Sequence, residues 1–432
     1  MDRKIVVVGM GYVGIPVACA FAKKGFNVIG INRSKPKVDM INQGESPIKG
    51  KEPHLQELLA EQVSKKKLSA TQNFSVCKDA YAILISVQTP FDTQKMEPNY
   101  SSLESALKDI GKNLSKGTLV VIESTIAPTT MDKIVKPILE EESGLTAGKD
   151  FYLANCPERV MPGRLLQNIK EYDRVVGGIN EESANMAVEL YSNIVEGELF
   201  PTDSLTAEIV KTAENAYRDV QIAFANEIAQ ICEKLGMNAY EVKDLVNKCP
   251  FRDMHIPGAG VGGHCLPKDS WLLAYGVKNK LSPKLIALAR NINDFMPHHM
   301  VELTESALSE AQLKMQDAVI SILGVAYLAD SDDTRNSPAQ TIINELKNKG
   351  AKIRAHDPFV KDFEDVEMSD NLDEALASSD CLVLVTAHSA YQNLKLDHIK
   401  KLMRNPIIVD GRNMFDKDEC IKMGFVYFGI GK

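Results

Sequence analysis

The opening stretch KIVVVGMGYVGIPVACAFAKKGFNVIGI, Lys4 to Ile31, constrains the fold more than any other part of the chain. Lys4 to Val8 is a continuous run rich in β-branched apolar residues, the pattern of a parallel strand covered on both faces. Gly9, Gly11 and Gly14 follow in GxGxxG spacing, then an apolar helical stretch ending at Gly25, then a second strand from Asn27 to Ile31. Glycines in such a strand-to-helix turn permit a tight bend and the close approach of a pyrophosphate at the helix N-terminus. GxGxxG alone is weak, but inside a β-turn-α-β unit it points to a dinucleotide. Gly9, Gly11, Tyr12, Val13 and Gly14 are candidate cofactor contacts.

The pattern continues with strands at Ala82–Val87, Thr118–Glu123, Phe151–Asn155 and Val175–Gly178, mostly separated by helices. Two strand ends carry polar residues, VQTP at Val87–Pro90 and EST at Glu123–Thr125. Ligands of open α/β sheets bind beyond the strand C-termini, which places Thr89, Ser124 and Thr125 near a cofactor. Thr206 to Lys234 reads as one long helix. Lys211, Asn215 and Arg218 fall on one face of it at i, i+4 and i+7, and Ile222 and Ala229 continue that stripe as an apolar, buried face. A second α/β unit starts near Asp317, with strands in AVISILGVAY, AKIRAHDP, CLVLVT and PIIVDG and a helix in SPAQTIINELKNKG; it lacks GxGxxG. The expected architecture is α/β: a Rossmann lobe over 1–200, a central helical region over 201–309, and a Rossmann-like lobe over 310–432.

Composition narrows the function classes. At 432 residues the chain calls for two or three domains. The net charge is −8 and the only basic cluster is Lys65–Lys67, which a solvated helix end explains, so nucleic acid is not an expected partner. Met1 leads directly into a strand-like segment, and no apolar run approaches the ~18 residues of a membrane helix. A cytoplasmic protein without a membrane partner is expected. No cysteines form a CxxC pair and no histidines an HExxH motif, so no metal is expected; His298-His299 reads as a polar helix face.

Against that background, PGAGVGGHCLPKDS (Pro257–Ser270) is unusual. Its glycines let another molecule approach the backbone closely, so Cys265 is a candidate for contact with a ligand, although isolated cysteines are usually buried.

These motifs, in order GMGYVG, QTP, EST, CPERVMPGR, the Lys211-x-x-x-Asn215 pair, GVGGHCLPKD and DDTRNSP, resemble those of the UDP-glucose/GDP-mannose dehydrogenase family over essentially the whole chain. The resemblance implies an NAD-binding N-terminal lobe, a central helical dimerisation region and a C-terminal lobe that binds a nucleotide sugar. It implies a homodimer or higher homo-oligomer and a four-electron oxidation of a C6 alcohol to a uronate with two NAD. PERVMPGRLLQNIKEYDRVVGG is similar to the branch acting on UDP-N-acetylhexosamines, because Pro162 stands where the UDP-glucose branch has a second Glu. UDP-N-acetyl-D-mannosamine is the first choice; UDP-N-acetylglucosamine and UDP-glucose are the alternatives.

The family roles carry over residue by residue. Cys265 would be the nucleophile that forms a thiohemiacetal and then a thioester. Lys211 would be the acid/base or stabilise the developing alkoxide, Asn215 a hydrogen-bond donor, Asp269 would orient water or Lys211, and Glu158 would activate the hydrolytic water. Arg159, Val160, Arg218, Arg252, Gly260 and Arg412 would join Glu158, Lys211 and Asn215 at the sugar nucleotide, Arg252 reaching the partner subunit's site. Asn32, Lys37, Thr89, Thr125, Lys268 and Arg335 would lie at the cofactor. His264 is expected to be a spectator. Two departures stand out. Asn32-Arg33 replaces the acidic residue that binds the adenosine ribose, which leaves NADP open. Tyr327 and Leu328 replace a usual Phe-Lys pair. Readings from other classes are a two-electron dehydrogenase of the 6-phosphogluconate type, which needs no cysteine, and a non-catalytic redox sensor, which needs no combination of Lys211, Cys265 and Asp269.

Overall fold

The computed structural model describes residues 3–48 and 52–432. The chain forms two compact units, Met1–Glu214 with Trp271–Ser282, and Asn215–Ser270 with Pro283–Lys432.

The first unit is built on one sheet of eight strands. These are β1 (Lys4–Val8), β2 (Asn27–Ile31), β3 (Leu68–Thr71), β4 (Ala82–Ile85), β5 (Leu119–Ile122), β6 (Tyr152–Asn155), β7 (Arg174–Gly178) and β8 (Leu199–Asp203). Their order is β8-β7-β6-β5-β4-β1-β2-β3. All neighbours are parallel except β6 and β7, which are antiparallel. Successive side chains of a strand point to opposite faces, and both faces of β1 are buried. Ile5 and Val7 join the core that also holds Phe21 and Ala22, whereas Val6 and Val8 join Ile83, Ile85, Val120 and Ile122. The continuous apolar run noted in the sequence therefore reflects a doubly covered strand. Helix α1 (Gly14–Lys23) buries Ile15, Val17, Ala18 and Phe21 and stops at Gly25, whose φ of 95° is a left-handed helix end. The strand order reverses between β1 and β4, the position where open α/β sheets bind ligands.

The second unit carries a six-stranded parallel sheet: β9 (Val319–Leu323), β10 (Lys352–His356), β11 (Glu367–Met368), β12 (Cys381–Leu384), β13 (Ile407–Asp410) and β14 (Val426–Gly429). Its order, β11-β10-β9-β12-β13-β14, repeats that of the first six strands of the first unit. Sequence reading found four of these strands; the two-residue β11 and the C-terminal β14 carry too weak a pattern.

Four helices frame the candidate site: α2 (Ser204–Leu235), α3 (Leu266–Tyr275), α4 (Lys284–Glu310) and α5 (Pro338–Asn348). At 32 residues α2 runs from the first unit into the second, a length of about 48 Å at the helical rise. In the second unit α4 packs Met296, Met300, Val301 and Ala307 into the core beneath the sheet. His299 of α4 is buried and pairs with Glu233 of α2 at 2.7 Å. The expected polar face at His298-His299 is thus half wrong: only His298 stays partly exposed, paired with Glu345. Among the described residues no helix is long and apolar enough to cross a membrane, and no cluster of three His, Cys, Asp or Glu could hold a metal.

Candidate active site

The β1–α1 turn has the shape a dinucleotide needs. Gly11 N–H donates to the Gly9 carbonyl at 3.0 Å and Ile15 N–H to the Gly11 carbonyl at 3.1 Å. A Cβ on Gly14 would lie 2.1 Å from the Gly9 oxygen, so only glycine fits there, whereas a Cβ on Gly11 would meet nothing within 4 Å. Gly14 serves packing, and Gly11 keeps open the space in front of the α1 N-terminus where a pyrophosphate sits. Tyr12 and Val13 are half-buried in the same turn. The residues present fit NAD. After β2, the Asn32 amide donates to the Met10 carbonyl at 3.2 Å and its oxygen accepts the Ser34 N–H at 2.9 Å. Arg33 and Lys37 are exposed beside it. The two polar strand ends are brought together: Thr89 Oγ1 donates to the Thr125 carbonyl at 2.7 Å, and Ser124 Oγ to the Val87 carbonyl at 2.6 Å.

Glu158, the expected activator of the hydrolytic water, lies just beyond the end of β6 and is buried, in a 2.7 Å ion pair with Arg174 whose two side chains are 4% and 2% exposed. The cause is the antiparallel strand. The register Ala154↔Gly178, Asn155↔Gly177 runs on toward Arg174 opposite Glu158, a pairing that parallel α/β patterning does not suggest. Beside the pair lies Glu123, which accepts from Ser86 Oγ at 2.5 Å and Tyr191 OH at 2.6 Å. Burial, then the Glu158 charge, push the Glu123 carboxyl up to about 7. Arg159 is held by Glu214 at 2.9 Å and by the Asp173 carbonyl, and Val160 is half-buried.

Lys211 of α2 is 8% exposed and has no hydrogen-bond or ion-pair partner among the described residues. A buried ammonium without a carboxylate is costly and suits a group that receives its partner from a ligand. One turn earlier Glu208 accepts the backbone N–H groups of Thr129 and Met131, both at 2.7 Å. It thereby holds Thr129 at φ 76°, which is strained for a β-branched residue.

In the second unit, Cys265 immediately precedes α3, and its carbonyl accepts the Lys268 and Asp269 N–H groups at 3.0 and 2.9 Å. Cys265 and Cys249 are exposed, whereas the other six cysteines are buried. The start of a helix favours negative charge and is a common setting for nucleophilic thiols. On the first turn of α3, the fully buried Asp269 accepts from Asn215 Nδ2 at 2.6 Å and pairs with Lys268 at 3.1 Å. His264, beside the thiol, is pushed down to about 4 by burial and by the charges of Lys268 and Arg335, so it is neutral near pH 7.

The loop glycines answer to their neighbours. A Cβ on Gly262 would fall 2.4 Å from Tyr327 Cβ, and one on Gly258 2.4 Å from an Arg412 guanidinium nitrogen. Tyr327, one of the two departures from the family pattern, therefore packs directly on the Cys265 loop. Arg412 lies against Gly258, with its Nε donating to the Val385 carbonyl at 2.7 Å. Gly260, at φ 134°, is wedged by Pro297 and Pro338. Arg335 pairs with Asp333, and its carbonyl accepts the Gly263 N–H at 2.8 Å. Arg252 is exposed next to Phe251, itself fully exposed at φ 64°.

Of the stripe read along α2, Lys211 and Asn215 face inward but Arg218 is exposed. Its neighbour Asp219, not singled out in the sequence, is the buried residue, at i+4 from Asn215. The signal was available as Asn215, Asp219 and Asn226 recurring at helical spacing among alanines.

Comparison with known proteins agrees with this geometry. Residues 3–195 match the NAD binding domain of the UDP-glucose/GDP-mannose dehydrogenase family, 205–295 its central domain and 321–417 its UDP binding domain. A UDP-N-acetyl-D-mannosamine dehydrogenase from Pyrococcus horikoshii is 39% identical over 99% of both chains. The solved structure of the UDP-D-ManNAc dehydrogenase from that organism has a TM-score of 0.93 at 40% identity, over 99% of both chains. The crystal structure of an NDP-N-acetyl-D-galactosaminuronic acid dehydrogenase from Methanosarcina mazei Go1 is 46% identical with a TM-score of 0.90, covering 100% of this chain and 95% of that one. The chain belongs to the UDP-glucose/GDP-mannose dehydrogenase family and is an NAD-dependent nucleotide-sugar dehydrogenase.

Proposed function

We propose that this enzyme oxidises the C6 alcohol of a UDP-N-acetylhexosamine to the carboxylate, UDP-N-acetyl-D-mannosamine being the preferred substrate. The observation that carries the reading is an exposed thiol at the start of α3, one turn from a buried carboxylate held by Asn215. A dehydrogenase that stops at two electrons needs no such thiol, and a redox sensor needs neither the thiol nor the buried Lys211 amine.

Bound NAD supplies a hydride acceptor for each of two oxidations. In the first, Lys211 stabilises the oxygen that loses its proton as the C6 alcohol becomes an aldehyde. The Cys265 thiolate then adds to the aldehyde carbon. The new C–S bond makes that carbon tetrahedral, so a second hydride can leave and a thioester remains. Water attacks the thioester, the C–S bond breaks, and the thiol and the carboxylate are released. Asp269 with Asn215 orients Lys211 or the water. Glu158 serves as the base for that water, which requires it to part from Arg174. Thr89, Thr125 and the glycine turn hold the cofactor with Asn32 and Lys37, and Lys268 and Arg335 are assigned to it as further contacts. Arg159, Val160, Arg218, Gly260 and Arg412 hold the nucleotide sugar.

The same reading makes the enzyme a homodimer. Tyr217, Phe224 and Ile231, seven residues apart on α2, are 66%, 54% and 49% exposed, and Leu285 and Leu288 of α4 are equally bare. An apolar surface of that extent marks an interface. Phe251 and Arg252 would extend from it into the partner. Exposed thiols at Cys249 and Cys265 suit a reducing, cytoplasmic compartment.

The relatives named for N-acetylmannosamine favour that sugar, and the M. mazei protein's name favours an N-acetylgalactosamine derivative. The test is kcat/KM on a panel of UDP-glucose and the UDP-N-acetyl derivatives of glucosamine, mannosamine and galactosamine. Preference for mannosamine by tenfold or more supports the assignment, and preference for any other sugar replaces it.

A further inference from the structure

The bond from Asn215 to Asp269 has a second rung directly after it. Asp219, at i+4 on α2, is fully buried and reaches Ser270, the next residue on α3: Ser270 Oγ donates to Asp219 Oδ2 at 3.2 Å. The other oxygen of Asp219 accepts from Arg290 at 2.6 Å and from Asn293 Nδ2 at 2.7 Å, both on α4. Asn293 passes the chain on, because its Oδ1 accepts from Asn226 Nδ2 at 2.9 Å, and Asn226 Oδ1 accepts the N–H of Gly258 at 3.0 Å. Gly258 opens the glycine loop and Ser270 lies just past its nucleophile. One unbroken, fully buried polar chain thus attaches both ends of the Cys265 loop to the same two helices.

Stability does not account for this arrangement. Asp219 and Asn226 of α2 and Arg290 and Asn293 of α4 are each no more than 1% exposed, and the neighbouring inward positions of α2 are Ala216, Ala223, Ala225 and Ala229. Buried charged pairs are commonly matched or bettered by apolar packing, and their best-attested gain is a fixed register. A buried, hydrogen-bonded network resists small displacements of what it holds, and a nucleophile needs its attacking geometry held to a fraction of an ångström.

We propose that Asp219, acting through Ser270 on one side and through Asn293 and Asn226 on Gly258 on the other, is a positioning residue that sets where Cys265 meets the aldehyde. The proposal rests on Cys265 being the nucleophile. A slack loop would slow capture of the aldehyde while leaving the first oxidation, which does not use sulfur, largely intact.

Asp219→Asn strands the buried Arg290 guanidinium, so the informative variants cut one arm at a time. Ser270→Ala removes the α3 arm and Asn226→Ala the Gly258 arm, with Ser270→Thr as the conservative control. The expected result is a kcat for uronate at least tenfold lower with KM for the UDP-sugar within about twofold. Aldehyde should be trappable with semicarbazide, so that more than two NADH form per uronate, and Ser270→Thr should recover most of the loss. Two NADH per uronate with wild-type kcat in both alanine variants would overturn the proposal, and so would a loss of both oxidations in equal proportion. Cys265→Ala, assayed in parallel, separates the readings. Uronate formation at wild-type rate there removes the nucleophile itself, whereas an inactive Cys265→Ala beside unaffected arm variants removes only the role of Asp219.

Discussion

Asn215 Nδ2 donates to Asp269 Oδ2 at 2.6 Å, so a residue of the long helix α2 fixes the carboxylate one turn beyond Cys265. A hydrogen bond to a buried charged group contributes about 2 kcal/mol. Asn215→Ala should therefore lower kcat/KM by roughly 30-fold, and Asn215→Asp should do worse, because it sets a second carboxylate against the first. Steady-state kinetics on purified variants checks this; activity within threefold of wild type in Asn215→Ala would show that the bond is incidental.

The buried acid pair makes stability depend on pH. Folding raises the Glu123 carboxyl from its ordinary 4.5 to about 7, through burial first and the Glu158 charge second. Between those values the folded chain holds a proton that the unfolded chain has lost, so this group's contribution falls as pH rises, by on the order of 3 kcal/mol across the window. Glu208, raised to about 7 by burial, acts with the same sign. Glu123→Gln should therefore gain on wild type in Tm as pH goes from 5 to 7.5. A Tm difference that stays constant over that range would contradict the assignment.

Cofactor choice turns on the end of β2. The Asn32 side chain is engaged by Met10 and Ser34, while Arg33 stands exposed beside it. With NAD as the cofactor, kcat/KM should exceed that for NADP, and Arg33→Ala should reduce whatever NADP activity exists without touching NAD turnover. An NADP preference above tenfold, about 1.4 kcal/mol, would mean that Arg33 binds a 2′-phosphate.

The exposed apolar line on α2 predicts the assembly. Phe224→Glu combined with Ile231→Glu places two charges in that surface and should convert a dimer to monomer in sedimentation at micromolar concentration, with activity lost alongside. A wild-type chain that sediments as a fully active monomer would refute the dimer.

Much of this was legible in the residues. Unbroken burial of Ile5, Val6, Val7 and Val8, alternately in two cores, is what the continuous apolar run of a doubly covered strand produces, and the α2 range differs by no more than two residues at either end from the helix read off its pattern. Local geometry was legible where local motifs carry it, as in the tight turn at Gly14 and the exposure of Cys265. It was not where partners come from distant segments. Nothing near Glu158 in the sequence announces Arg174, because an antiparallel strand inside a mostly parallel sheet brings them together. Arg218 was drawn inward by counting along the helix, yet a shift of one residue, 100° of rotation, puts Asp219 there instead. Arg290 and Asn293 became visible only once α4 was laid against α2.

The most direct measurement of the central claim is the stoichiometry of cofactor reduction with Cys265 intact and removed. The wild type should form two NADH per UDP-sugar and release the carboxylate. Cys265→Ala should still bind the sugar, form at most one NADH per sugar and yield no uronate, because no tetrahedral sulfur adduct can form. One NADH and a released aldehyde from the wild type, or uronate from Cys265→Ala at near wild-type rate, would contradict the four-electron, thiol-dependent account.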